Sequence, residues 1–108
     1  PGHARTSAMA DFYNACWSGD IEGVRTRLES ATDVRKLLTT IGGIFGWTPL
    51  FAAAENGRAE VVTALLSTAD EELRRELLTS KSTNHFGGSS TPLHTAAENG
   101  HAEVVTAL

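Results

Sequence analysis

Apolar residues recur along the chain at helical spacing, in short stretches separated by glycines and polar residues. In the clearest stretch Val62, Leu65 and Leu66 lie at i, i+3 and i+4, which places them on one face of a helix. Val24 and Leu28 are their counterparts upstream. The pattern predicts a series of short amphipathic helices that pack through their apolar faces, and it predicts no extended sheet.

The helical stretches belong to a sequence repeat. Residues 48–65 and 91–108 align without a gap and differ at only three pairs of positions, Phe51/His94, Ala52/Thr95 and Arg58/His101. A degenerate copy lies upstream, where residues 15–24 align with residues 53–62. Repetition of this kind is typical of a solenoid, in which each unit buries its apolar face against its neighbours. The degenerate copy is expected to be the N-terminal cap, because one of its faces has no neighbour.

Each full copy carries start and stop signals for two helices. Thr48 can cap the first helix with its hydroxyl, and Pro49 suits the first helical position because its missing N–H has no intrahelical partner there. Gly57 can adopt the left-handed conformation that ends this helix before the second one begins. The equivalent residues of the other full copy are Thr91, Pro92 and Gly100.

The repeated segments resemble the ankyrin repeat, whose T-P-L-H-x-A signature matches residues 91–96 and, with Phe51 in place of histidine, residues 48–53. Ala-Ala-Glu-Asn-Gly completes each copy and leads into Glu-Val-Val of a second helix. The resemblance implies an all-α fold, an ankyrin-repeat solenoid of helix-turn-helix units joined by finger loops. It implies a domain over residues 8–108 with units at about 8–40, 46–83 and 89–108. Residues 1–7 have no apolar period, and we expect a flexible terminus or a cloning remnant.

The units are longer than usual for that family. Gly19 and Gly57 are 38 residues apart and Gly57 and Gly100 are 43 apart, whereas an ankyrin repeat spans about 33. The extra residues carry leucines at helical spacing, which predicts added short helices at Val34–Thr39 and Glu71–Thr79. We expect these helices to bury four leucines against the preceding unit, namely Leu37, Leu38, Leu77 and Leu78. Thr68-Ala69-Asp70-Glu71 has the form of a capping box ahead of the second insert.

Composition limits which kinds of partner and which cellular compartment are expected. The formal net charge of −4 and the pI near 5.5 give no basic field, which argues against direct binding to nucleic acid. No apolar run approaches the roughly 18 residues of a membrane span, so no membrane insertion is predicted. Cys16 is the only cysteine, which rules out an intrachain disulfide and favours an intracellular, cytoplasmic setting.

No set of residues has the spacing of a catalytic, cofactor or metal site. Cys16 precedes Trp17 as in papain-like proteases, but it aligns with the repeated alanines Ala54 and Ala97 and is expected to be a buried small filler. The histidines lack zinc-site spacing. The glycine-rich segment 86–91 lacks the lysine of a phosphate-binding loop. We therefore predict no enzyme activity, no cofactor and no metal.

The resemblance implies binding of a partner protein through the finger loops and the concave surface of the inner helices. Carried over by alignment, the partner-binding positions are Trp17, Ser18, Ile44, Phe45, Trp47, Glu55, Asn56, Phe86, Gly87, Gly88, Ser90, Glu98 and Asn99. The first finger is unusual, because Ile44, Phe45 and Trp47 are large apolar residues in a loop. They are expected either to form a binding hot spot or to be buried by the neighbouring insert.

Two further functions stay open from the sequence. The chain is expected to be a truncated segment, because the third copy ends at Leu108, partway through its second helix. One alternative is therefore a regulatory or targeting segment of a longer enzyme or effector, with the catalytic domain elsewhere. A structural scaffold is the other. The stacking face of the third copy also makes self-association a partner prediction.

Overall fold

The computed structural model describes residues 8–41, 47–83 and 89–108, and over these residues the chain is a row of helix pairs. The helices are α1 (Ala8–Ser18), α2 (Ile21–Ser30), α3 (Val34–Thr39), α4 (Pro49–Glu55), α5 (Ala59–Thr68), α6 (Glu71–Thr79), α7 (Pro92–Glu98) and α8 (Ala102–Ala107). One short antiparallel ladder pairs β1 (Ser82–Thr83) with β2 (Ser89–Ser90). The predicted all-α solenoid is confirmed, and the two-residue ladder is not an extended sheet.

Three helix pairs form the repeat units, which we call unit 1 (α1, α2), unit 2 (α4, α5) and unit 3 (α7, α8). The inner helices α1, α4 and α7 pack side by side, and the outer helices α2, α5 and α8 form a second layer behind them. One apolar cluster runs through all three units and includes Phe12, Cys16, Leu50, Val62 and Val104, each almost completely buried. Full burial of such side chains stabilises the fold by about 1.5–3 kcal/mol each, so the interfaces between units hold the row together.

The helix boundaries follow the predicted signals. The N–H of Phe51 donates to Thr48 Oγ1 at 3.2 Å, and the N–H of His94 donates to Thr91 Oγ1 at the same distance. The inner helix of unit 2 ends at Glu55, and Gly57 follows two residues later with a left-handed φ of 72°. A left-handed residue turns the chain so that the outer helix runs back along the inner one.

Both inserted helices exist with the predicted bounds, α3 over Val34–Thr39 and α6 over Glu71–Thr79. Leu37, Leu38 and Leu77 are buried as expected, whereas Leu78 is only half-buried at the edge of the apolar cluster. The added residues therefore enlarge the shared apolar cluster, and α3 and α6 lie next to α4 and α7, the inner helices of the following units. They are helices and not loops.

The capping-box interpretation was wrong in its cap residue. Asp70 caps α6, because its carboxylate accepts a hydrogen bond from the N–H of Leu73 at 2.8 Å. Thr68 is still the last residue of α5, and its hydroxyl donates to the Ala64 carbonyl at 2.9 Å. Thr68 keeps helical geometry in α5 and so cannot cap the next helix. Ala69 and Asp70 are both extended, and Asp70, directly before α6, has the side-chain acceptor that a cap needs.

Side chains of the inserts also link neighbouring units. Arg35 of α3 lies 2.9 Å from Glu76 and 3.5 Å from Glu72, both on α6. Arg74 donates to the Leu66 and Ala69 carbonyls at 3.0 Å and 3.2 Å, which satisfies the end of α5. The inserts thus stack on each other in register with the units.

Candidate functional site

An aromatic cluster joins the inner helices of units 1 and 2. The rings of Trp17 and Trp47 stack with centroids 5.7 Å apart and planes at 24°, and Tyr13 stacks on Trp17 at 6.5 Å. The rings of Phe51 and Trp47 lie with centroids 5.0 Å apart and planes tilted at 53°. Trp47 is completely buried, whereas Trp17 is 37% exposed. The cluster therefore has a buried centre and one solvent-facing ring, which lies at the end of α1.

The burial of Trp47 decides, for this residue, between the two roles that the sequence left open for the first finger, a binding hot spot and buried packing. Its ring packs inside the cluster with Tyr13, Phe51 and Ala52, so it is a packing residue and not an exposed anchor. Ile44 and Phe45 lie outside the described residues. The same holds for the predicted contacts of the second finger, Phe86, Gly87 and Gly88. Ser90, at the base of that finger, is buried.

The other predicted contacts sit at the C-terminal ends of the inner helices. Ser18, Glu98 and Asn99 are exposed, and Asn56 is half-buried. The side-chain amide of Asn56 donates to the Ala52 carbonyl at 3.0 Å, and Asn99 makes the equivalent bond to Thr95 at 2.9 Å. Both asparagines thus satisfy the last turns of their own helices. We call Trp17, Ser18, Asn56 and Asn99 the inner-helix row.

Glu55, predicted as a surface contact, is buried instead. The hydroxyl of Thr95, one unit further on, donates to Glu55 Oε1. A buried carboxylate needs such donors, because an unsatisfied one carries a large desolvation cost. Glu55 therefore connects units 2 and 3, and we leave it, with Trp47 and Ser90, out of the exposed surface.

Sequence analysis missed a second contact between units, made by the residues just before the outer helices α5 and α8. Arg58 Nε donates to the Trp17 carbonyl at 3.1 Å, and His101 Nε2 lies 2.9 Å from the Glu55 carbonyl oxygen. Trp17 and Glu55 occupy equivalent positions, so two different side chains make the same bond. Two of the three sequence differences between the full copies, Ala52/Thr95 and Arg58/His101, fall at contacts between units. These differences were the signal in the sequence that could have revealed the contacts.

Nucleophilic chemistry at Cys16 is disfavoured by its surroundings. The side chain is completely enclosed, and burial raises the pKa of its thiol to about 12. Only the thiolate is an effective nucleophile, so the thiol is inert in the folded chain. Within residues 8–41, 47–83 and 89–108, no group of three or more His, Cys, Asp or Glu side chains could hold a metal ion.

This burial predicts how Cys16 reacts with a thiol reagent. At pH 8 we expect Ellman's reagent to modify the folded chain at least about 10³-fold more slowly than the urea-unfolded chain, since both thiolate content and access are lost. The rate of modification is measured as the increase in absorbance of the released thionitrobenzoate. Rapid modification in the folded state, with the circular dichroism spectrum unchanged, would contradict the packing of α1.

A wide groove of about 890 Å³ lies along the outer helices α2, α5 and α8. Residues of α2, α5 and α8 line the groove, and they include Arg25, Leu28, Glu60, Thr63, Glu103 and Thr106. Its charges are mixed, and the side chains are those of ordinary solvated helix faces. We assign it no ligand.

Comparison with known proteins adds to this geometry. None of the helices formed by the described residues is long and apolar enough to cross a membrane. No curated protein matches the chain. A family model described as ankyrin repeats, in three copies, matches residues 12–108. The matched segment runs from Phe12 of α1 to the last residue, so it takes in most of unit 1 and all of units 2 and 3.

Proposed function

Because the chain belongs to the ankyrin-repeat family, whose members are generally protein-interaction modules, we propose that it is a non-catalytic module that binds a partner protein. The proposed contact surface is the inner-helix row together with the finger loops. The family is typically non-catalytic, and the inert Cys16 thiol fits that role. We also propose an intracellular setting, since a free buried cysteine suits a reducing compartment.

The observation that carries the proposal is the exposure of Trp17. Trp17 is 37% exposed and offers a large apolar contact, and Trp is among the residue types enriched at interface hot spots. Its position is fixed on one side by stacking with Trp47. A ring that is already ordered loses less conformational entropy when a partner covers it, so more of its burial energy contributes to affinity.

The rest of the row suits a rim around such an anchor. Ser18 follows Trp17 directly and is exposed, and Asn56 and Asn99 occupy the equivalent place in the next two units. Hydroxyl and amide groups can both donate and accept hydrogen bonds, so they can pair with the backbone of a partner chain. Polar rims around an apolar centre are the usual arrangement of protein interfaces.

A binding experiment with two surface variants tests the proposal. The immobilised chain captures candidate partners from its native cells, and each is purified and titrated by calorimetry against the wild type, Trp17→Ala and Ser18→Arg. We expect Trp17→Ala to weaken binding by about 2 kcal/mol or more, roughly 30-fold, because it removes the anchor. Ser18→Arg should also weaken binding, because it places a bulky charge in the contact.

Thr63→Arg provides the matched control, because Thr63 is exposed on the outer-helix side. It adds the same side chain as Ser18→Arg and should leave the affinity unchanged. Melting temperatures of all variants identify any loss of fold. The proposal fails if both row variants stay folded and bind with wild-type affinity.

A further inference from the structure

Arg58 has more hydrogen-bond donors than its contact with unit 1 uses. Its Nε donates to the Trp17 carbonyl at 3.1 Å. A guanidinium carries five N–H donors, so four remain on the two terminal nitrogens, Nη1 and Nη2. Among the residues that the structure describes, none bonds to these four donors. The side chain is exposed, so the donors are open to a partner.

Unit 3 shows that one donor is enough for this contact between units. His101 occupies the position of Arg58, and its Nε2 lies 2.9 Å from the Glu55 carbonyl oxygen. A single imidazole nitrogen therefore makes the bond for which unit 2 uses a guanidinium. The remaining donors of Arg58, and its permanent positive charge, are not needed to stack one unit on the next.

The charge of Arg58 has no ion pair in the described parts of the chain. Glu60 and Glu103 line the recess beside it, but neither is paired with the guanidinium. Asp20 caps α2 instead, where its carboxylate accepts a hydrogen bond from the N–H of Gly23 at 3.1 Å. A partner can therefore neutralise Arg58 without breaking a contact within the chain.

The side chain of Arg58 is held beside the proposed anchor of the inner-helix row. Trp17 supplies both the carbonyl that accepts from Arg58 and the ring that is 37% exposed. The Arg58 side chain passes over Gly19, where a Cβ would lie only 2.8 Å from Arg58 Cδ. A partner that covers the Trp17 ring thus meets a guanidinium that is already ordered, which lowers the entropy lost on binding.

We propose that the partner segment that covers Trp17 carries an aspartate or glutamate, whose carboxylate binds Nη1 and Nη2 of Arg58. The planar guanidinium matches a carboxylate with two parallel hydrogen bonds. A doubly charged phosphate fits less well, because Glu60 and Glu103 line the same recess and repel it more strongly. This contact rests on the proposed function, since it names the chemistry of the partner at that surface.

The acidic residue should lie close in sequence to the partner's apolar contact. Both groups that the partner meets, the ring and the guanidinium, are attached at Trp17. An extended chain spans only about 3.3–3.6 Å per residue, so we expect the carboxylate within about three residues of the apolar side chain.

A peptide selection with Arg58→His tests the contact. A phage-displayed library of random peptides is selected at low salt and pH 8 against the immobilised wild type and, in parallel, against Arg58→His. Histidine should keep the bond to the Trp17 carbonyl, as His101 does in unit 3, but at this pH it is mostly neutral and lacks the two terminal amino groups. We expect Asp or Glu near an apolar residue to be enriched on the wild type only.

Titration of the selected peptides gives the size of the effect. Replacement of the acidic residue by its amide should weaken binding to the wild type about 5-fold or more and leave binding to Arg58→His unchanged. Arg58→His should keep the wild-type Tm, whereas Arg58→Ala should lower it, because alanine loses the bond between units. Arg25→His is the matched control, since Arg25 is an exposed arginine on the outer-helix side and its replacement removes the same charge. It should leave peptide affinity unchanged.

The outcomes separate this contact from the proposed function. Peptides that lose affinity for Trp17→Ala but not for Arg58→His would overturn the carboxylate contact and leave the proposed surface standing. Peptides that bind both variants like the wild type would count against the surface as well. The proposal also fails if no acidic peptide is enriched, or if phosphoserine in place of the acidic residue binds more tightly, which would identify a phosphopeptide as the occupant.

Discussion

Replacement of Trp47 by alanine is expected to destabilise the folded chain by about 3–5 kcal/mol. The ring is completely buried and packs against the rings of Trp17 and Phe51. Its removal loses the transfer energy of a large apolar group and leaves a cavity between units 1 and 2. Urea unfolding followed by circular dichroism measures the change. Because domains of this size are stable by only about 5–15 kcal/mol, the effect on Tm should be large.

Trp17→Ala is the natural comparison, since the two rings stack on each other but differ in exposure. Trp17 is 37% exposed, so its removal should cost clearly less stability than the removal of Trp47. The two variants should therefore separate, with Trp47→Ala affecting mainly unfolding and Trp17→Ala mainly partner binding. A Trp47→Ala variant as stable as the wild type would show that Trp47 does not pack as described.

Gly57→Ala is expected to cost about 2–3 kcal/mol of stability. A Cβ on a residue with φ of 72° costs roughly 1–2 kcal/mol by itself. The same Cβ would lie 2.7 Å from His101 Nδ1 and displace the ring from the Glu55 carbonyl, which loses a hydrogen bond worth about 1 kcal/mol. Chemical denaturation of the variant and of the wild type gives the difference.

Gly100→Ala provides a matched control for that prediction. Gly100 has the same φ and follows the same Ala-Ala-Glu-Asn sequence, but its Cβ would meet none of the described residues within 4 Å. It should therefore cost only the backbone part, about 1–2 kcal/mol. The difference between the two variants measures the contact between units 2 and 3. Equal costs would show that His101 contributes nothing to stacking.

The sequence determined the helices, because their signals are local. Caps at Thr48 and Thr91, prolines in the first turn and glycines with positive φ act within a few residues of one another. The inserts could be predicted for the same reason, since leucines at helical spacing define a face without reference to any neighbour. Repetition of the pattern then required stacking, because no single unit can bury its face alone.

Only the tertiary structure decided which positions are surface. Trp17, Glu55 and Glu98 are equivalent in the alignment, yet one stacks on an aromatic cluster, one is buried under Thr95 and one is exposed. Burial depends on what a neighbouring unit places opposite a residue, and the residue's own sequence context does not contain that information. The same limit applied to Trp47, for which the sequence left a hot spot and a packing role open.

The substitutions between the two full copies show most clearly what the sequence determined and what only the tertiary structure decided. Ala52/Thr95 and Arg58/His101 look like neutral variation within a repeat, but Thr95, Arg58 and His101 each bond to the preceding unit. The sequence by itself determined a row of helix pairs, since local signals and repetition suffice for that. Packing decided which side chains join one unit to the next and which stay available to a partner. Those contacts connect residues about forty positions apart, and only the stacked structure brings such residues together.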